Sequence, residues 1–257
     1  MKPVILVTND DGIDSEGLIA LANVLKALGR VIIVAPDRQQ SAVSHALTLH
    51  RPLRITKIKD DFYSIDGTPT DCVNLSINGL LEVRPNLVVS GINDGANMGD
   101  DMFYSGTVAA AREAALLRVS AFAISVEMET KKGLTFLFKP AANFAKKFAK
   151  YILKNPLEPQ VYFNVNMPNL PEKKIRGVKV TRQGKRIYGG ESIIHKKDPR
   201  GRDYFWIGGA DVGYEPLGNS DIEAVYGGYI SVTPLYLDMT HYPSIERIGR
   251  ALSRRTG

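Results

Sequence analysis

Cysteine is almost absent from this sequence, because only Cys72 occurs among its 257 residues. A single cysteine cannot form a disulfide within the chain, and a zinc site built on a CxxC pair is excluded as well. Long apolar runs are also missing, so no membrane-spanning helix is expected. The apolar run at residues 4–7 is too short for a secretory signal peptide. These absences predict a soluble, reduced protein of the cytoplasm that does not bind the membrane.

Several short motifs that carry enzymatic chemistry are absent too. No GxxxxGK followed by Ser or Thr occurs, which argues against an enzyme driven by nucleoside triphosphates. No GxGxxG follows the first apolar run and no GxSxG occurs, so the usual dinucleotide-binding fold and the serine hydrolases lack their signatures. The four histidines have no metal-ligand spacing, although His45 lies near Ser41 in the sequence. Each histidine is therefore expected to be a surface or packed residue.

The formal net charge of +6 comes from one part of the chain. Residues 173–202 contain 11 lysines and arginines but only two acidic residues, whereas the rest of the chain is slightly acidic. An excess of basic residues confined to one segment does not indicate a positive electrostatic field over the whole molecule. The segment is interpreted as a solvated arm. The alternatives are a contact between subunits and a binding surface for polyanions.

The first two thirds of the sequence alternate apolar runs with helical patterns, which is typical of a parallel sheet built from βαβ units. Strands are predicted at residues 4–7, 31–35, 87–90, 121–126 and 161–165. Helices are predicted at residues 15–28, 70–81, 107–117 and 136–153, the first capped by Ser15 and ended by Gly29. The predicted fold class is α/β, a Rossmann-like three-layer sandwich with a mostly parallel sheet.

The pattern changes beyond about residue 171. Short β-like stretches at 178–180, 204–207 and 229–232 are separated by charged and glycine-rich loops, and residues 243–254 predict a terminal helix. We therefore expect a Rossmann-like catalytic core over residues 1–170 and a β-rich C-terminal extension over residues 171–257. The extension is expected to be an arm rather than an independent domain.

Polar residues are unusually dense where three of the predicted strands end. They are Asn9, Asp10 and Asp11 after the first strand, residues 37–41 after the second, and Asn93, Asp94, Asn97, Asp100 and Asp101 after the strand that ends at Ser90. In an open parallel sheet, ligands bind beyond the carboxyl ends of the strands. If these three strands are neighbours, their loops place carboxylates, amides and a hydroxyl within reach of one cation. Such hard oxygen ligands suit Mg²⁺ or Mn²⁺ and not zinc.

The adjacent pair Asp10–Asp11 has two interpretations. Adjacent side chains in a regular strand point to opposite faces, so the chain must turn for both to reach one metal, and Gly12 allows such a turn. Otherwise one carboxylate binds the metal while the other orients a water molecule or caps the next helix. The alternative is an Asx-turn at a strand end with no ligand.

A phosphate site is indicated where Tyr104, Ser105, Gly106 and Thr107 lead into a helix. A helix N-terminus presents unpaired N–H groups and partial positive charge, the two hydroxyls add donors, and glycine allows close backbone approach. The alternative is an ordinary serine N-cap. The long polar loop at residues 91–99 precedes this point, and loops of that length within a compact domain are usually functional or disordered, of which a functional loop is favoured here.

Taken together, these stretches resemble the survival protein E (SurE) family of 5′/3′-nucleotidases. The matching motifs are VTNDDG at residues 7–12, APDR at 35–38, GTPTDC at 67–72, SGIN at 90–93, NMG at 97–99 and YSGTV at 104–108, with weaker matches at 220–224 and 231–238. The resemblance covers essentially the whole chain. Ala96 stands where the family commonly has proline, a change that we expect to be tolerated.

The resemblance implies a site and a reaction. It implies one divalent cation per subunit, Mg²⁺ or Mn²⁺, on Asp10, Asp11, Ser41 and Asn93. It implies catalytic roles for Asn9, Asp10 and Asp11. It implies a phosphate cradle formed by Asn97, Ser105, Gly106 and Thr107. The implied reaction is hydrolysis of nucleoside 5′- and 3′-monophosphates to nucleoside and phosphate, with short polyphosphate and other phosphomonoesters as further substrates.

The resemblance also implies a homodimer or homotetramer, with the C-terminal extension and the terminal helix contacting a neighbouring subunit. Nucleic acid is expected only as a short oligonucleotide substrate. Two other functions are alternatives for this sequence. A polyanion-binding module would use residues 173–202 and would lose affinity steeply with salt. A phosphatase of the haloacid-dehalogenase kind would need Asp-x-Asp after the first strand, whereas the two carboxylates here are contiguous.

Overall fold

The computed structural model describes residues 2–127, 135–189, 193–208 and 212–253. The strands are β1 (Val4–Thr8), β2 (Arg30–Pro36), β3 (Ile55–Lys59), β4 (Phe62–Ile65), β5 (Leu87–Asp94), β6 (Ala121–Val126), β7 (Val161–Met167), β8 (Val178–Val180), β9 (Arg186–Tyr188), β10 (Ile193–Lys197), β11 (Asp203–Ile207), β12 (Val212–Tyr214) and β13 (Ile230–Tyr236). The α-helices are α1 (Glu16–Leu25), α2 (Pro69–Leu75), α3 (Gly106–Leu116), α4 (Phe138–Lys154), α5 (Asp221–Tyr226) and α6 (Tyr242–Ser253).

Within the described ranges, the main sheet has nine strands in the order β3-β4-β2-β1-β5-β6-β7-β13-β8. Strand β1 pairs in parallel with β2 on one side and with β5 on the other. The chain thus passes from β1 to β2 and β4, then crosses back to β5, and the strand order reverses between β1 and β5. Ligands of open α/β sheets bind at such a reversal, beyond the carboxyl ends of the strands. The predicted parallel sheet is confirmed, and its antiparallel pairs are β3–β4 and β7–β13.

Helices cover both faces of this sheet, which confirms the predicted three layers. Apolar side chains of α1 and α4 pack on one face, and those of α2 and α3 pack on the other. The strands between them are buried on both sides, and every residue of β1 and β6 is buried. Near-continuous apolar strands of this kind are typical of a parallel sheet covered by helices. The layers hold the carboxyl ends of the strands in fixed positions.

Helix α1 begins as the sequence predicts but does not end as predicted. The Ser15 hydroxyl accepts a hydrogen bond from the Leu18 N–H at 3.4 Å, which confirms the N-cap. Gly29 does not end the helix, because its C-cap is Lys26 in ordinary helical conformation. A Cβ at Gly29 would lie 2.1 Å from the carbonyl oxygen of Pro3, so the glycine is needed for a close approach of two chain segments.

Two further elements differ from the predicted bounds. The helix predicted at 70–81 consists of α2 and a following π-helical segment, Ser76–Leu80. The Ser76 hydroxyl donates to the Cys72 carbonyl at 2.6 Å, a side-chain bond that competes with regular helical pairing. Strand β5 continues four residues beyond Ser90, because Asn93 and Asp94 pair with β6 after a register shift. The polar residues near 93 therefore lie at the end of a strand and not in a free loop.

The chain beyond residue 170 contributes to the main sheet and also forms exposed elements. Strand β13 pairs with β7, and β8 pairs in parallel with β13. By contrast, β11 and α6 bury none of their described residues. Residue 254, the last residue of the predicted terminal helix, lies outside the described residues. In the described part of the chain, no helix has the length and apolar character needed to cross a bilayer.

Candidate active site

A cavity of about 410 Å³ opens at the carboxyl ends of β2, β1 and β5. Its described lining consists of Asp10, Asp11, Gln39, Ser41, Ala42, Asn93, Asp94, Asn97, Asp101, Tyr104 and Ser105. The three polar loops predicted to converge do converge, because their strands are neighbours in the sheet. The candidate metal ligands Asp10, Asp11, Ser41 and Asn93 all line this cavity.

The turn after β1 brings both aspartates to the same cavity. Gly12 has a φ of +100°, a conformation that glycine adopts without steric cost. The backbone of the turn is fixed to the loop after β2, since the Gln40 N–H donates to the Asp10 carbonyl at 2.7 Å. The Asn9 side chain donates to the Gly12 carbonyl at 3.0 Å and thereby closes the turn.

The Asp10 carboxylate contacts the N-terminal turn of α3 directly. Asp10 is only 6% exposed, and one of its oxygens accepts a hydrogen bond from the Thr107 hydroxyl. The same hydroxyl lies 3.2 Å from the side-chain oxygen of Asn93. The Asn93 amide nitrogen donates to the Gly95 carbonyl at 2.7 Å, which directs its oxygen towards Thr107. A carboxylate and an amide oxygen are therefore held against the start of α3.

No basic residue of the described lining balances the negative charge of Asp10, Asp11 and Asp94. Burial raises the pKa of Asp10. Burial also raises the pKa of Asp11, and the nearby charges of Asp10 and Asp94 add to the effect, so that this pKa is about 8. The described lining contains four carboxyl groups but no lysine, arginine or histidine. A bound cation would favour the charged forms and so offset the burial and the repulsion that raise these pKa values.

The donor set fits a hard divalent cation. One carboxylate oxygen of Asp11 and the side-chain oxygen of Asn9 are buried without a hydrogen-bond partner. The Ser41 hydroxyl accepts from the Gln39 side chain at 2.9 Å, which leaves an oxygen lone pair free. No group of three His, Cys, Asp or Glu side chains suited to a metal occurs among the described residues. A cation here would therefore need amide and hydroxyl oxygens beside the carboxylates, as Mg²⁺ and Mn²⁺ accept.

Ser105 is both the N-cap of α3 and part of the cavity wall. Its hydroxyl oxygen accepts from the Val108 N–H at 3.1 Å, so the capping interpretation is correct. Capping uses only a lone pair, and the hydroxyl hydrogen is left to donate to a ligand. The N–H groups in the first turn of α3 have no partner within the helix. Of the four predicted phosphate-binding residues, Asn97 and Ser105 line the cavity, whereas Gly106 and Thr107 directly follow Ser105 in the chain and lie outside the described lining. The Ser105 hydroxyl and the free N–H groups at the start of α3 can thus present donors to an anion.

Gly106 fits closely against Asp10. A Cβ at this position would lie 2.9 Å from the Asp10 Cβ and 3.1 Å from the Pro69 Cγ. Real Cβ atoms do not tolerate such contacts without movement of a neighbour, so a larger residue would push α3 away from the carboxylate. The glycine allows the anion-binding end of the helix to touch the carboxylate loop.

Asn97 is held by a buried network on β6 and β7. The Asn166 side chain accepts from the Asn97 N–H at 2.8 Å and donates to the Asn97 carbonyl at 3.1 Å. Asn164 donates to the same carbonyl at 2.7 Å, and the Asn97 side chain donates to the Ser125 hydroxyl at 2.8 Å. Both strand asparagines are fully buried. The network therefore fixes both the backbone and the side chain of Asn97 at the cavity wall.

Comparison with known proteins identifies the family. The family model described as "Survival protein SurE" matches residues 5–190 of this chain. The chain belongs to the SurE family. It is 50% identical to the 5′-nucleotidase SurE of Pelobacter propionicus over 95% of this chain and 97% of that protein. It is 52% identical to the 5′-nucleotidase SurE of Geotalea daltonii over 94% of this chain and 96% of that protein.

A solved structure of the SurE protein from Aquifex aeolicus has the same fold. It is 42% identical, covers 97% of this chain and 99% of its own, and superposes with a TM-score of 0.83. The resemblance that the motifs indicate is thus confirmed at the level of the family and the fold.

Several side chains in this SurE-family site are not identified by sequence reasoning. Asn164 and Asn166 lie in a strand that was predicted only to residue 165, and no motif marks them. A signal was present, because two asparagines alternate with Val165 in a strand that is otherwise apolar. His45, noted for its nearness to Ser41 in the sequence, instead bonds to Glu113 on α3 at 2.8 Å. That contact pins the loop after β2 to the helix that carries Thr107.

The C-terminal extension supports one wall of the SurE-family cavity. The guanidinium of Arg186 donates to Asp101 at 2.8 Å, and the Tyr188 hydroxyl donates to its other oxygen at 2.6 Å. The buried carboxylate of Asp221 accepts from the N–H groups of Gly99 and Gly184, at 2.9 and 2.8 Å. These contacts carry no local sequence pattern, because their partners are distant in the chain, from 37 residues for Gly184 and Asp221 to 122 residues for Gly99 and Asp221.

Substitution of Asn166 tests the network that holds Asn97. Asn166→Ala removes both hydrogen bonds to the Asn97 backbone, and we expect the free energy of unfolding to fall by about 1–3 kcal/mol. We also expect the affinity for inorganic phosphate, measured by calorimetry, to fall by roughly tenfold, since the hydrogen bonds that place Asn97 are worth about that much. Asn143→Ala is the control, because Asn143 is a half-buried asparagine on α4 whose side chain bonds to Glu172 and not to the site. Unchanged stability and unchanged phosphate affinity in Asn166→Ala would contradict the role of the network.

Proposed function

We propose that this chain hydrolyses nucleoside 5′-monophosphates to a nucleoside and inorganic phosphate. The observation that carries the proposal is the hydrogen bond between Thr107 and Asp10, because it holds the start of α3 against a buried carboxylate. Ser105, the cap of that helix, and Asp10 line the same cavity. The names of the relatives, 5′-nucleotidase SurE, support the substrate class. A phosphate bound at the start of α3 would lie beside the oxygen ligands and beneath an opening to solvent.

The proposal includes one divalent cation per subunit, Mg²⁺ or Mn²⁺, held by Asp10, Asp11, Ser41 and Asn93. When bound, such a cation neutralises charge on the phosphoryl oxygens and lowers the barrier to attack by water. The fit of the donor set and the unbalanced carboxylates support this part of the proposal. A cytoplasmic location is also proposed, on the single cysteine.

The chain's own residues bind and orient the reacting groups. Ser105, through its hydroxyl, and Gly106, through its N–H at the start of α3, donate hydrogen bonds to the phosphate oxygens, and these donors are in place before the charge develops. Thr107 contributes by holding Asp10 against that helix end. Asn97 adds an amide that its network holds in one orientation. Asn9 keeps the turn closed so that Asp10 and Asp11 face the same cavity. These groups together stabilise the charge on the phosphoryl oxygens in the transition state.

Water is proposed to attack phosphorus directly. Asp10 and Asp11 are assigned as cation ligands, and a carboxylate that binds a cation is a poor nucleophile. Trapping with borohydride tests this step, because an aspartyl-phosphate intermediate would be reduced to a stable alcohol. We expect no reduced aspartate during turnover of AMP. A reduced residue at position 10 or 11 would establish a phosphoenzyme instead.

Hydrolysis of AMP with and without EDTA tests the metal dependence. We expect activity to fall by more than about 100-fold after chelation, the scale on which a key electrostatic group is lost, and to return with Mg²⁺ or Mn²⁺. Activity that survives chelation would contradict the cation's role. We also propose that 3′-monophosphates and short polyphosphates are substrates. Rates measured in parallel on a panel of 5′-monophosphates, 3′-monophosphates and short polyphosphates test this range.

The basic segment at 173–202 is less available to polyanions than its charge indicates. Within its described residues, Lys185 and Arg186 form ion pairs with Asp100 and Asp101. Further along, Arg202 pairs with Asp198. The first two pairs bind the segment to the rest of the chain, the third neutralises charge within the segment, and together they favour a structural role over a general polyanion site. Polyanion binding stays a separate hypothesis, which the absence of RNA binding at low salt would end.

Assembly into a dimer or tetramer is the last part of the proposal. The hairpin of β10 and β11 exposes Phe205, Trp206 and Ile207, and α6 exposes Ile245, Ile248 and Leu252. Monomeric proteins rarely leave contiguous apolar surface of this kind in water. We expect light scattering at micromolar concentration to give at least twice the chain mass of 28.3 kDa. A monomeric mass would contradict assembly through these elements.

A further inference from the structure

The cavity has one apolar and aromatic rim in an otherwise polar lining. Apart from Ala42 and Tyr104, every described lining residue is an aspartate, an amide or a serine. Tyr104 is 63% exposed, and no described residue forms a hydrogen bond with its hydroxyl. A large aromatic side chain left open at the edge of a polar cavity is available to a ligand.

The rim is built from two chain segments that are bonded together. The Ser44 N–H donates to the Tyr104 carbonyl at 3.0 Å, and the Ser44 hydroxyl donates to the Phe103 carbonyl at 2.7 Å. These bonds place the loop after β2, which carries Ala42, beside the end of the 3₁₀ turn Gly99–Phe103. The backbone at Tyr104 is thereby fixed while its ring stays exposed.

The position of Tyr104 relates the rim to the phosphate. Tyr104 directly precedes Ser105, the cap of α3, so the ring lies one residue from the proposed phosphate donors. The cavity volume of about 410 Å³ lies within the roughly 300–1,000 Å³ of small-molecule sites and exceeds what a phosphate group and a cation fill. The remaining space belongs to the same cavity that Tyr104 lines.

Asp101, which also lines the cavity, is not free to accept hydrogen bonds from a ligand at the rim. Its two carboxylate oxygens accept from Arg186 and Tyr188, so neither oxygen is free of a donor. A ligand at the rim can therefore interact mainly with the face of the Tyr104 ring. Stacking on such a face is open to every nucleobase, because all bases have a π-face.

We propose that Tyr104 is a specificity-determining residue that stacks on the base of the nucleotide. The proposal rests on the proposed nucleotidase function and extends it to the part of the substrate that does not react. If Tyr104 stacks on the base, this one ring makes nucleotides better substrates than simple phosphomonoesters. Because every base has a π-face, the enzyme would then discriminate little between bases.

Two substitutions and two substrates separate stacking from a structural role. In Tyr104→Ala we expect KM for AMP to rise by about tenfold or more, the scale of one lost base stack, while Tyr104→Phe keeps KM within about twofold. Hydrolysis of glycerol 2-phosphate, which has no base, is expected to be the same in all three proteins. Tyr151→Ala is the matched control, because Tyr151 is 57% exposed and lies on α4 outside the cavity lining.

The outcomes distinguish this inference from the proposed function. An equal loss on AMP and on glycerol 2-phosphate, or no change on AMP, would overturn the stacking role while leaving the nucleotidase in place. If the wild-type protein hydrolysed neither substrate, the proposed function would fail, and binding of adenosine measured by calorimetry would decide the inference. Weaker binding of adenosine to Tyr104→Ala but not to Tyr104→Phe supports stacking, and equal binding to all three proteins refutes it.

Discussion

Asp10→Asn is expected to lower kcat/KM for AMP by more than about 100-fold, the cost of losing a key electrostatic group. The substitution keeps the shape of the side chain but removes the charge that Thr107 and the proposed cation share. Stability is not expected to fall. Burial raises the pKa of Asp10, and Asp94 adds to that effect, so the charged form is costly in the folded chain and a neutral amide relieves that cost.

Asp14→Asn is the matched control for this prediction, because it makes the same chemical change at an exposed position four residues away. Initial rates on AMP and urea unfolding are to be measured for both variants. Near-native rates in Asp10→Asn would remove Asp10 from the mechanism. A large loss of stability in that variant would mean that Asp10 supports the fold rather than the reaction.

Gly106→Ala is expected to have the second largest effect, a fall in kcat/KM of about 10- to 100-fold, which corresponds to roughly 1.4–2.8 kcal/mol. The added methyl group would meet the Asp10 Cβ at 2.9 Å and the Pro69 Cγ at 3.1 Å. Either α3 or the carboxylate loop must move by a few tenths of an ångström. That movement displaces the donors of the first turn from the phosphate.

Unfolding is expected to change little in Gly106→Ala. Alanine is favoured over glycine within helices by about 1 kcal/mol, which offsets part of the cost of the displaced contact. The control is Gly79→Ala, where a Cβ would meet nothing within 4 Å. A Gly106→Ala protein with unchanged kcat/KM would show that the close approach of α3 to Asp10 is not needed for the reaction.

The layers and the position of the site follow from local sequence patterns. Buried apolar runs that end in polar turns give the strands, and the spacing of Leu18, Leu21 and Leu25 gives α1. The sequence also restricts the site to the polar strand ends. Local sequence patterns do not predict the order of the strands. The loops that carry Asp10 and Asn93 meet only because β2, β1 and β5 are neighbours in the sheet. That order is set by packing across the whole sheet.

The contacts that sequence patterns miss are those between distant segments. The pair Asn97–Asn166 is 69 residues apart, and Asp101–Arg186 is 85 residues apart. The need for glycine at position 29 also comes from a distant segment, because the Pro3 carbonyl leaves no room for a Cβ there. The roles assigned to the candidate ligands stay predictions, because geometry places these residues together without identifying what they bind.

Titration with Mn²⁺, followed by electron paramagnetic resonance of the free ion, tests most directly whether oxygens from three strand ends hold one cation. We predict one tightly bound Mn²⁺ per chain in the wild-type protein. We predict an affinity weakened by more than about tenfold in each of Asp10→Asn, Ser41→Ala and Asn93→Ala, which represent the three loops. Asp14→Asn should bind as the wild type does. Absence of a bound ion in the wild-type protein, or equal binding in all four variants, would contradict a shared cation site.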